Sequence, residues 1–128
     1  MKNPFLIIIA FTLFSSASFG QNISNYFKDI GKSDLTALSA KFSEDMEVCV
    51  NDEQEFMSKA EAIKAITDFL AEKKPISAAE LHQGSSKSKN SQYRVGQLKT
   101  AKGNFRVFIY LEGDSKDYEI VGILFNPE

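Results

Sequence analysis

A chain of 128 residues, 43% of them hydrophobic, has room for one domain with one hydrophobic core. Its 15 basic and 17 acidic side chains give a formal net charge of −2, which argues against binding a polyanion through bulk electrostatics. We therefore expect no nucleic-acid partner.

The first twenty residues have the pattern of a secretory signal peptide. Lys2 precedes the apolar run 5–14, and small residues follow up to Gly20, which is the order of charged, apolar and cleavable segments in such peptides. The apolar run is too short for a transmembrane helix, which needs about 20 residues. We predict a signal peptide over 1–20, a single mature domain over 21–128 and no membrane insertion after cleavage.

The residue after the predicted cleavage site is Gln21 and not the cysteine that a bacterial lipoprotein needs, so we expect a periplasmic or secreted protein. Cys49 is the only cysteine, which excludes an intramolecular disulfide. A lone secreted thiol is either reactive or structural. Its place in the strand-like run 46–50 favours the structural role, in which Cys49 is a small buried hydrophobic side chain.

Two short helices are predicted at the start of the mature domain. The first carries four apolar side chains at helical spacing, namely Ile23, Tyr26, Phe27 and Ile30. Gly31 ends this helix, and Ser33 or Asp34 caps the second. The apolar side chains assigned to the second helix are Leu35, Leu38 and Phe42.

A third helix begins at a capping box formed by Ser58 and Glu61, whose side chains bond free backbone N–H groups at the helix start. Its predicted buried face consists of Ile63, Ile66, Phe69 and Leu70. The helix ends before Pro75, which cannot continue it.

From Ile76 onward the sequence predicts four antiparallel strands, divided by turn-forming clusters at 84–91, 100–103 and 113–117. Alternation over 103–112 directs one set of side chains to the core, namely Phe105, Val107, Ile109 and Leu111. In the last strand it places Ile120 and Leu124 on one face and Val121, Ile123 and Phe125 on the other.

Glycines in these strands predict a strongly bent sheet. If the turn 100–103 pairs Leu98 with Phe105, Gly96 lies opposite Val107, and we expect Gly122 to flank Val107 on its other side.

Both faces of the predicted four-stranded sheet are apolar, yet three helices can cover only one. Because an exposed apolar face often marks an interface, we predict a homodimer packed sheet to sheet through Phe108 and Tyr110. Arg106 lies between these aromatic side chains in the alternation. It is a candidate for stacking, for an ion pair at an interface or for binding a ligand carboxylate.

Sequence patterns for metal, phosphate or nucleophilic chemistry are missing. With a single histidine, His82, the chain cannot supply two His ligands, and it has no zinc pattern, phosphate-binding loop or G-x-S-x-G elbow. We expect no metal and no cofactor. Six acidic residues lack the calcium-loop spacing and are interpreted as a solvated face: Glu44, Asp45, Glu47, Asp52, Glu53 and Glu55.

His82 and Glu80 are the sharpest catalytic candidates, because two residues apart on a strand they would share a face as an acid–base pair. A structural role for His82 at a strand end is the favoured alternative. The loop that follows holds hydroxyl and ammonium groups able to bind an anion, although such loops are usually solvated connections. Its candidate residues are Ser85, Ser86, Lys87, Ser88 and Lys89.

The runs 81–87, 91–96 and 103–107 resemble a family of exported bacterial proteins known only as a domain of unknown function. The order of two short helices, a strand, a capped helix and a curved antiparallel sheet resembles the nuclear transport factor 2-like fold. The resemblance implies an α+β domain, with N-terminal helices packed on a strongly curved antiparallel sheet that forms a cone.

This superfamily contains cofactor-independent isomerases and dehydratases as well as non-catalytic binding domains, and no catalytic residue can be carried over from it. We therefore expect a non-catalytic exported domain that binds a small apolar ligand in the cone or a protein partner. The alternative is a cofactor-independent isomerase or dehydratase that uses His82 or Glu80 with a tyrosine such as Tyr26 or Tyr110.

Overall fold

The computed structural model describes residues 23–85, 90–114 and 116–128. For 83–85 it describes the backbone alone. The predicted signal peptide and residues 86–89 of the loop considered for anion binding lie outside the described residues.

The described chain forms three helices and six strands. Helix α1 covers 23–31, α2 covers Thr36–Ser39 and α3 covers Lys59–Lys73. The strands are β1 (Phe42–Val50), β2 (Glu53–Ser58), β3 (Pro75–Ser85), β4 (Ser91–Thr100), β5 (Gly103–Gly113) and β6 (Tyr118–Pro127). They build one sheet in the order β2-β1-β6-β5-β4-β3. The sheet is curled but not closed, because β2 and β3 remain edges.

The fold is α+β, as predicted, but two features of the sheet differ from the prediction. It has six strands instead of four, and β1 pairs with β6 in parallel while the other pairs are antiparallel. Strand β2 was not predicted, because its side chains are largely exposed and polar and show no clear alternation. Asn51 and Asp52 both have positive φ and form the two-residue turn that joins β1 to β2.

The three predicted helices are present, but Ile63 of the predicted buried face of α3 is only half-buried while Ala62 is buried, and the N-cap residue of α2 is Leu35. In α3 the Ser58 hydroxyl accepts from the Glu61 N–H at 3.2 Å, and the Ser58 N–H donates to the Glu61 carboxylate at 3.1 Å. The Asp34 carboxylate accepts from the Thr36 N–H at 3.0 Å at the start of α2. Phe42 was expected in α2 but lies in β1, because α2 ends after about one turn and Phe42 pairs with Ile120 of β6.

A bulge in β6 overturns the predicted alternation of that strand. Tyr110 pairs with Gly122 and Leu111 with Ile120, so Val121 is an extra residue without a partner in β5. The bulge changes the phase of the strand, and Ile120, Ile123 and Phe125 are all buried in the core while Val121 and Leu124 are half-buried.

The predicted pairing across the 100–103 turn is confirmed, since Leu98 lies opposite Phe105 and Gly96 opposite Val107. The prediction for Gly122 is wrong. Val107 pairs with Phe125 on its other side, and Gly122 lies instead between Tyr110 and Glu47.

The helices pack on one face of the sheet, which we call the inner face. Three fully buried aromatic rings fill much of this layer: Phe27 from α1, Phe69 from α3 and Phe125 from β6. The ring centroids of Phe69 and Phe125 are 4.8 Å apart. An added Cβ at Gly96 would lie 2.4 Å from the Phe27 ring and 2.8 Å from the Ala79 carbonyl oxygen. Gly96 therefore allows α1 to approach the sheet closely.

The two strand glycines should respond differently to alanine. We expect Gly96→Ala to lower the free energy of unfolding by about 2 kcal/mol, because neither the backbone of Ala79 nor the packed Phe27 ring can move freely. The matched control is Gly122→Ala, whose added Cβ meets its nearest atoms at 3.4 Å and should change stability by less than about 0.5 kcal/mol. Urea unfolding measures both, and equal losses would contradict the argument.

Candidate functional site

The outer face of the sheet, opposite the helices, carries an aromatic surface. The register places Tyr93, Tyr110 and Gly122 in one row across β4, β5 and β6, and Val95, Phe108 and Leu124 in the next row. Four of these side chains remain half-buried, with none of the three described helices above them: Tyr93, Phe108, Tyr110 and Leu124. We call these four residues the outer patch.

The rings of the outer patch pack on one another. Phe108 and Tyr110 are nearly parallel, with centroids 6.3 Å apart, and Tyr110 is 6.2 Å from Tyr93. Val95, which pairs with Phe108 on the same face, is only 1% exposed. Burial, with the nearby Glu47 carboxylate and Tyr93, raises the pKa of Tyr110. The Tyr110 hydroxyl therefore stays protonated at neutral pH.

Arg106 lies beside the outer patch and makes an ion pair within its own chain. Its Nε and Nη2 atoms donate to Glu128 Oε2 at 2.9 and 2.7 Å. Gln97 donates to the other Glu128 oxygen at 2.6 Å. These bonds hold the pKa of Glu128 below its usual value, with the Gln97 bond the largest cause. This intrachain ion pair was not among the roles predicted for Arg106, which were stacking, an ion pair at an interface and binding of a ligand carboxylate.

The structure separates the two main catalytic candidates. Glu80 pairs with Gly96 and His82 with Val95, so Leu81 is a bulge residue in β3. Because neighbouring β4 residues point to opposite faces, Glu80 lies on the inner face and His82 on the outer one. The prediction that the two side chains share a face is wrong. His82 is exposed at its position beside Val95.

Glu80 instead joins α1 to the sheet through a polar cluster. Its Oε1 atom accepts from the Ser24 hydroxyl of α1 at 2.5 Å, and its Oε2 atom accepts from Arg94 Nη1 at 3.0 Å. The side chains of Glu80 and Arg94 are 17% and 5% exposed. Both carboxylate oxygens are therefore engaged in holding α1 against β3 and β4.

Tyr26, the third catalytic candidate, is buried in α1. Its hydroxyl lies 2.5 Å from that of Tyr118, whose ring packs under Lys41 Nζ at 4.6 Å. Burial, reinforced by the bond to Tyr118, raises the pKa of Tyr26 far above the usual range. Such a hydroxyl stays protonated at neutral pH and is a poor general base. Tyr26 also lines an open pocket of about 360 Å³ between α1 and α2.

Cys49 is buried on the outer side of β1, with Sγ 3.9 Å from Asn126 Oδ1. Burial, together with the Asp52 and Glu47 carboxylates, raises the pKa of the thiol, which lowers its reactivity near neutral pH.

The predicted acidic face lies in the hairpin of β1 and β2, where all six carboxylates except the half-buried Glu47 are exposed. Within the described ranges, no three Asp, Glu, His or Cys side chains are grouped so that they would hold a metal ion. No helix in the described part of the chain has the length and apolarity to cross a membrane.

Sequence reasoning missed two features. Arg94 lies on the same inward-facing side of β4 as Gly96 and Leu98. A charged residue at such a core-facing position indicates a buried ion pair, here the pair with Glu80. Phe56, 77% exposed on β2, was missed because β2 itself was not predicted.

The curled, unclosed sheet with helices on its inner face is a nuclear transport factor 2-like fold. A protein of unknown function from Silicibacter pomeroyi DSS-3, described as NTF-2 like, is 15% identical, with a TM-score of 0.55 over 94% of this chain and 98% of that one. The epoxide hydrolase/cyclase-like enzyme SalBIII is 9% identical, with a TM-score of 0.59 over 88% and 92% of the two chains. At these identities the similarity shows the fold alone.

The chain belongs to the family described as Domain of unknown function (DUF4783), which it matches over residues 21–126. A DUF4783 family protein from Bacteroides ovatus ATCC 8483 is 23% identical to it, with a TM-score of 0.71 over 80% of this chain and 92% of that one. None of the curated proteins compared with the chain matches it. The resemblances noted in the sequence are therefore confirmed for both family and fold.

Removing the Glu80 carboxylate should destabilise the domain. Glu80→Gln leaves the buried Arg94 guanidinium without that charge, and we expect the free energy of unfolding to fall by about 2–3 kcal/mol, since the pair is only slightly exposed. The control is Glu128→Gln, which breaks the exposed ion pair with Arg106 and should cost much less. Similar losses in urea unfolding would mean that the Glu80 pair acts like a surface pair.

The Tyr26 pKa predicts a loss of stability at high pH. The folded chain keeps Tyr26 protonated, whereas an unfolded tyrosine releases its proton near pH 10. The free energy of unfolding should therefore fall as the pH rises above about 10, by up to about 1.4 kcal/mol per pH unit. Urea unfolding across this range should show a shallower fall for Tyr26→Phe than for the unsubstituted chain. An unchanged slope for Tyr26→Phe would contradict the assignment.

Proposed function

We propose that this protein is an exported, non-catalytic recognition domain that assembles as a homodimer through the outer patch. The observation that carries the proposal is the outer patch itself, three aromatic rings and a leucine left half-buried on the face that the helices do not cover. Burial of such rings supplies much of the energy of protein interfaces. The signal-peptide pattern over 1–20 supports export.

The inner face favours a protein partner over a small apolar ligand. The aromatic rings of Phe27, Phe69 and Phe125 are packed between the helices and the sheet. A ligand entering this layer would have to displace a packed side chain, and protein interiors resist such changes. Uncovered aromatic surface, in contrast, is already present on the outer face.

The geometry supports the enzyme alternative less well than the non-catalytic homodimer. An acid–base pair needs both groups within reach of one substrate. Here the sheet lies between Glu80 and His82, and Glu80 is engaged by Ser24 and Arg94. Tyr26 is paired with Tyr118.

Sedimentation equilibrium of residues 21–128 tests the dimer. We expect a dimer at micromolar concentrations. Phe108→Lys should raise the dissociation constant of the dimer about tenfold or more, because lysine places a charge in an apolar contact. The control is Ile76→Lys, which adds the same charge at a 68% exposed side chain on β3 and should leave the dimer intact.

A monomer at several hundred micromolar, or equal effects of the two lysine substitutions, would contradict the dimer. Native mass spectrometry on the same protein, purified without added ligand, distinguishes a homodimer from a monomer that carries a small molecule. A stoichiometric small-molecule adduct on a monomer would favour the ligand-binding form of this domain.

A further inference from the structure

Strand β2 is an open edge of the sheet. Among the described residues it pairs with β1 alone, along Glu53–Ser58. Alternate backbone N–H and C=O groups of an edge strand point away from the sheet and can pair with another strand. The side chains of β2 are exposed along almost its whole length.

An aromatic side chain and a pocket accompany this edge. Phe56 is 77% exposed, more than the other large hydrophobic side chains that the structure describes as exposed. Together with Met57 of β2 and Ala65 of α3, it lines an open pocket of about 340 Å³. Its charged lining consists of the Glu55 and Glu61 carboxylates and the Lys64–Asp68 ion pair. The edge therefore combines outward-facing backbone groups with a pocket that is partly apolar and carries an excess of negative charge.

The charge of the chain is concentrated in this region. The segment 43–68 holds eight acidic and two basic residues, a net charge of −6. The rest of the chain holds nine acidic and 13 basic residues, or +4, which together give the total of −2. Of the two lysines, Lys64 is 2.8 Å from Asp68. Acidic side chains are thus concentrated in β1, β2 and the first part of α3, although the net charge of the whole chain is small.

This charge indicates what can pair with the edge. A second copy of β2 would bring the same negative segment alongside, and like charges facing one another across strands are destabilising. Charged side chains protect an edge against such self-association, but protection does not account for an exposed phenylalanine beside a pocket. A strand with basic and apolar side chains in alternation matches both the charge and the pocket.

We propose that the β2 edge is a docking site for an extended basic segment of another protein, which adds as a seventh strand beside β2. Backbone hydrogen bonds to β2 would provide affinity, and the pocket beside Phe56 and the surrounding carboxylates would select apolar and basic side chains. The site is separate from the outer patch, because half-buried Glu47 and then Gly122 lie between Phe56 and Tyr110 in the same row of the sheet.

Isothermal titration calorimetry with a synthetic peptide tests this proposal. The probe is an acetylated and amidated peptide of about eight residues in which lysine alternates with valine. We expect it to bind residues 21–128, and a peptide of the same length with a central proline should bind at least about tenfold more weakly, because proline removes a strand N–H donor. A peptide with glutamate in place of lysine should not bind.

Matched variants locate the site. Phe56→Ala should weaken binding of the lysine–valine peptide by about tenfold, while Ile76→Ala, at an exposed side chain on the opposite edge of the sheet, should leave it unchanged. Joint replacement of Glu53 and Glu55 by glutamine should reduce both the affinity and its dependence on salt.

Three outcomes would overturn the proposal. The first is no binding by the lysine–valine peptide, and the second is equal binding by the proline peptide, which would indicate charge attraction without strand pairing. The third is dissociation of a dimer by Phe56→Ala, which would assign Phe56 to contact between copies of the chain. The dimer itself is tested by Phe108→Lys, so the two proposals can fail separately.

Discussion

The close contact between Phe27 and Gly96 sets the arrangement of the rest of the domain. With hydrogen in place of a side chain at Gly96, the Phe27 ring can lie directly on β4. That position brings Ser24 of the same helix within 2.5 Å of Glu80. Apolar packing and a partly buried polar cluster thus hold α1 against β3 and β4 together. Because all three described helices pack on this inner face, none of them covers the side chains of the outer face.

Two of the bulges in the sheet then determine which face receives several important side chains. The bulge at Leu81 sends Glu80 inward and His82 outward, and so separates the two residues best suited to proton transfer. The bulge at Val121 turns Ile120, Ile123 and Phe125 to the core together. Each bulge is one extra residue with a consequence for every residue beyond it, since side chains alternate along a strand.

These bulges also mark where sequence reasoning reached its limit. The capping box of α3, the apolar stripe of α1 and the pairing of Leu98 with Phe105 depend on local spacing, and the sequence predicted them correctly. A bulge depends on the partner strand, so Val121 and Leu81 gave no local signal. Strand β2 was missed because an exposed edge strand has no buried face to impose alternation, although the Asn51–Asp52 turn was a usable signal.

The chemical difference between the two exposed surfaces is consistent with different partners. A two-fold symmetric interface brings each patch against its own copy, so its centre must not carry a net charge of one sign. The outer patch comes close to this condition, because its four side chains carry no charge and Arg106 is paired with Glu128 at its border, while the Glu47 carboxylate, which accepts from Gln54, lies at its edge beside Gly122. The β2 edge violates it, with a net charge of −6 over 43–68. The acidic edge therefore suits a basic partner strand of another protein, and the neutral aromatic patch suits a second copy of this chain.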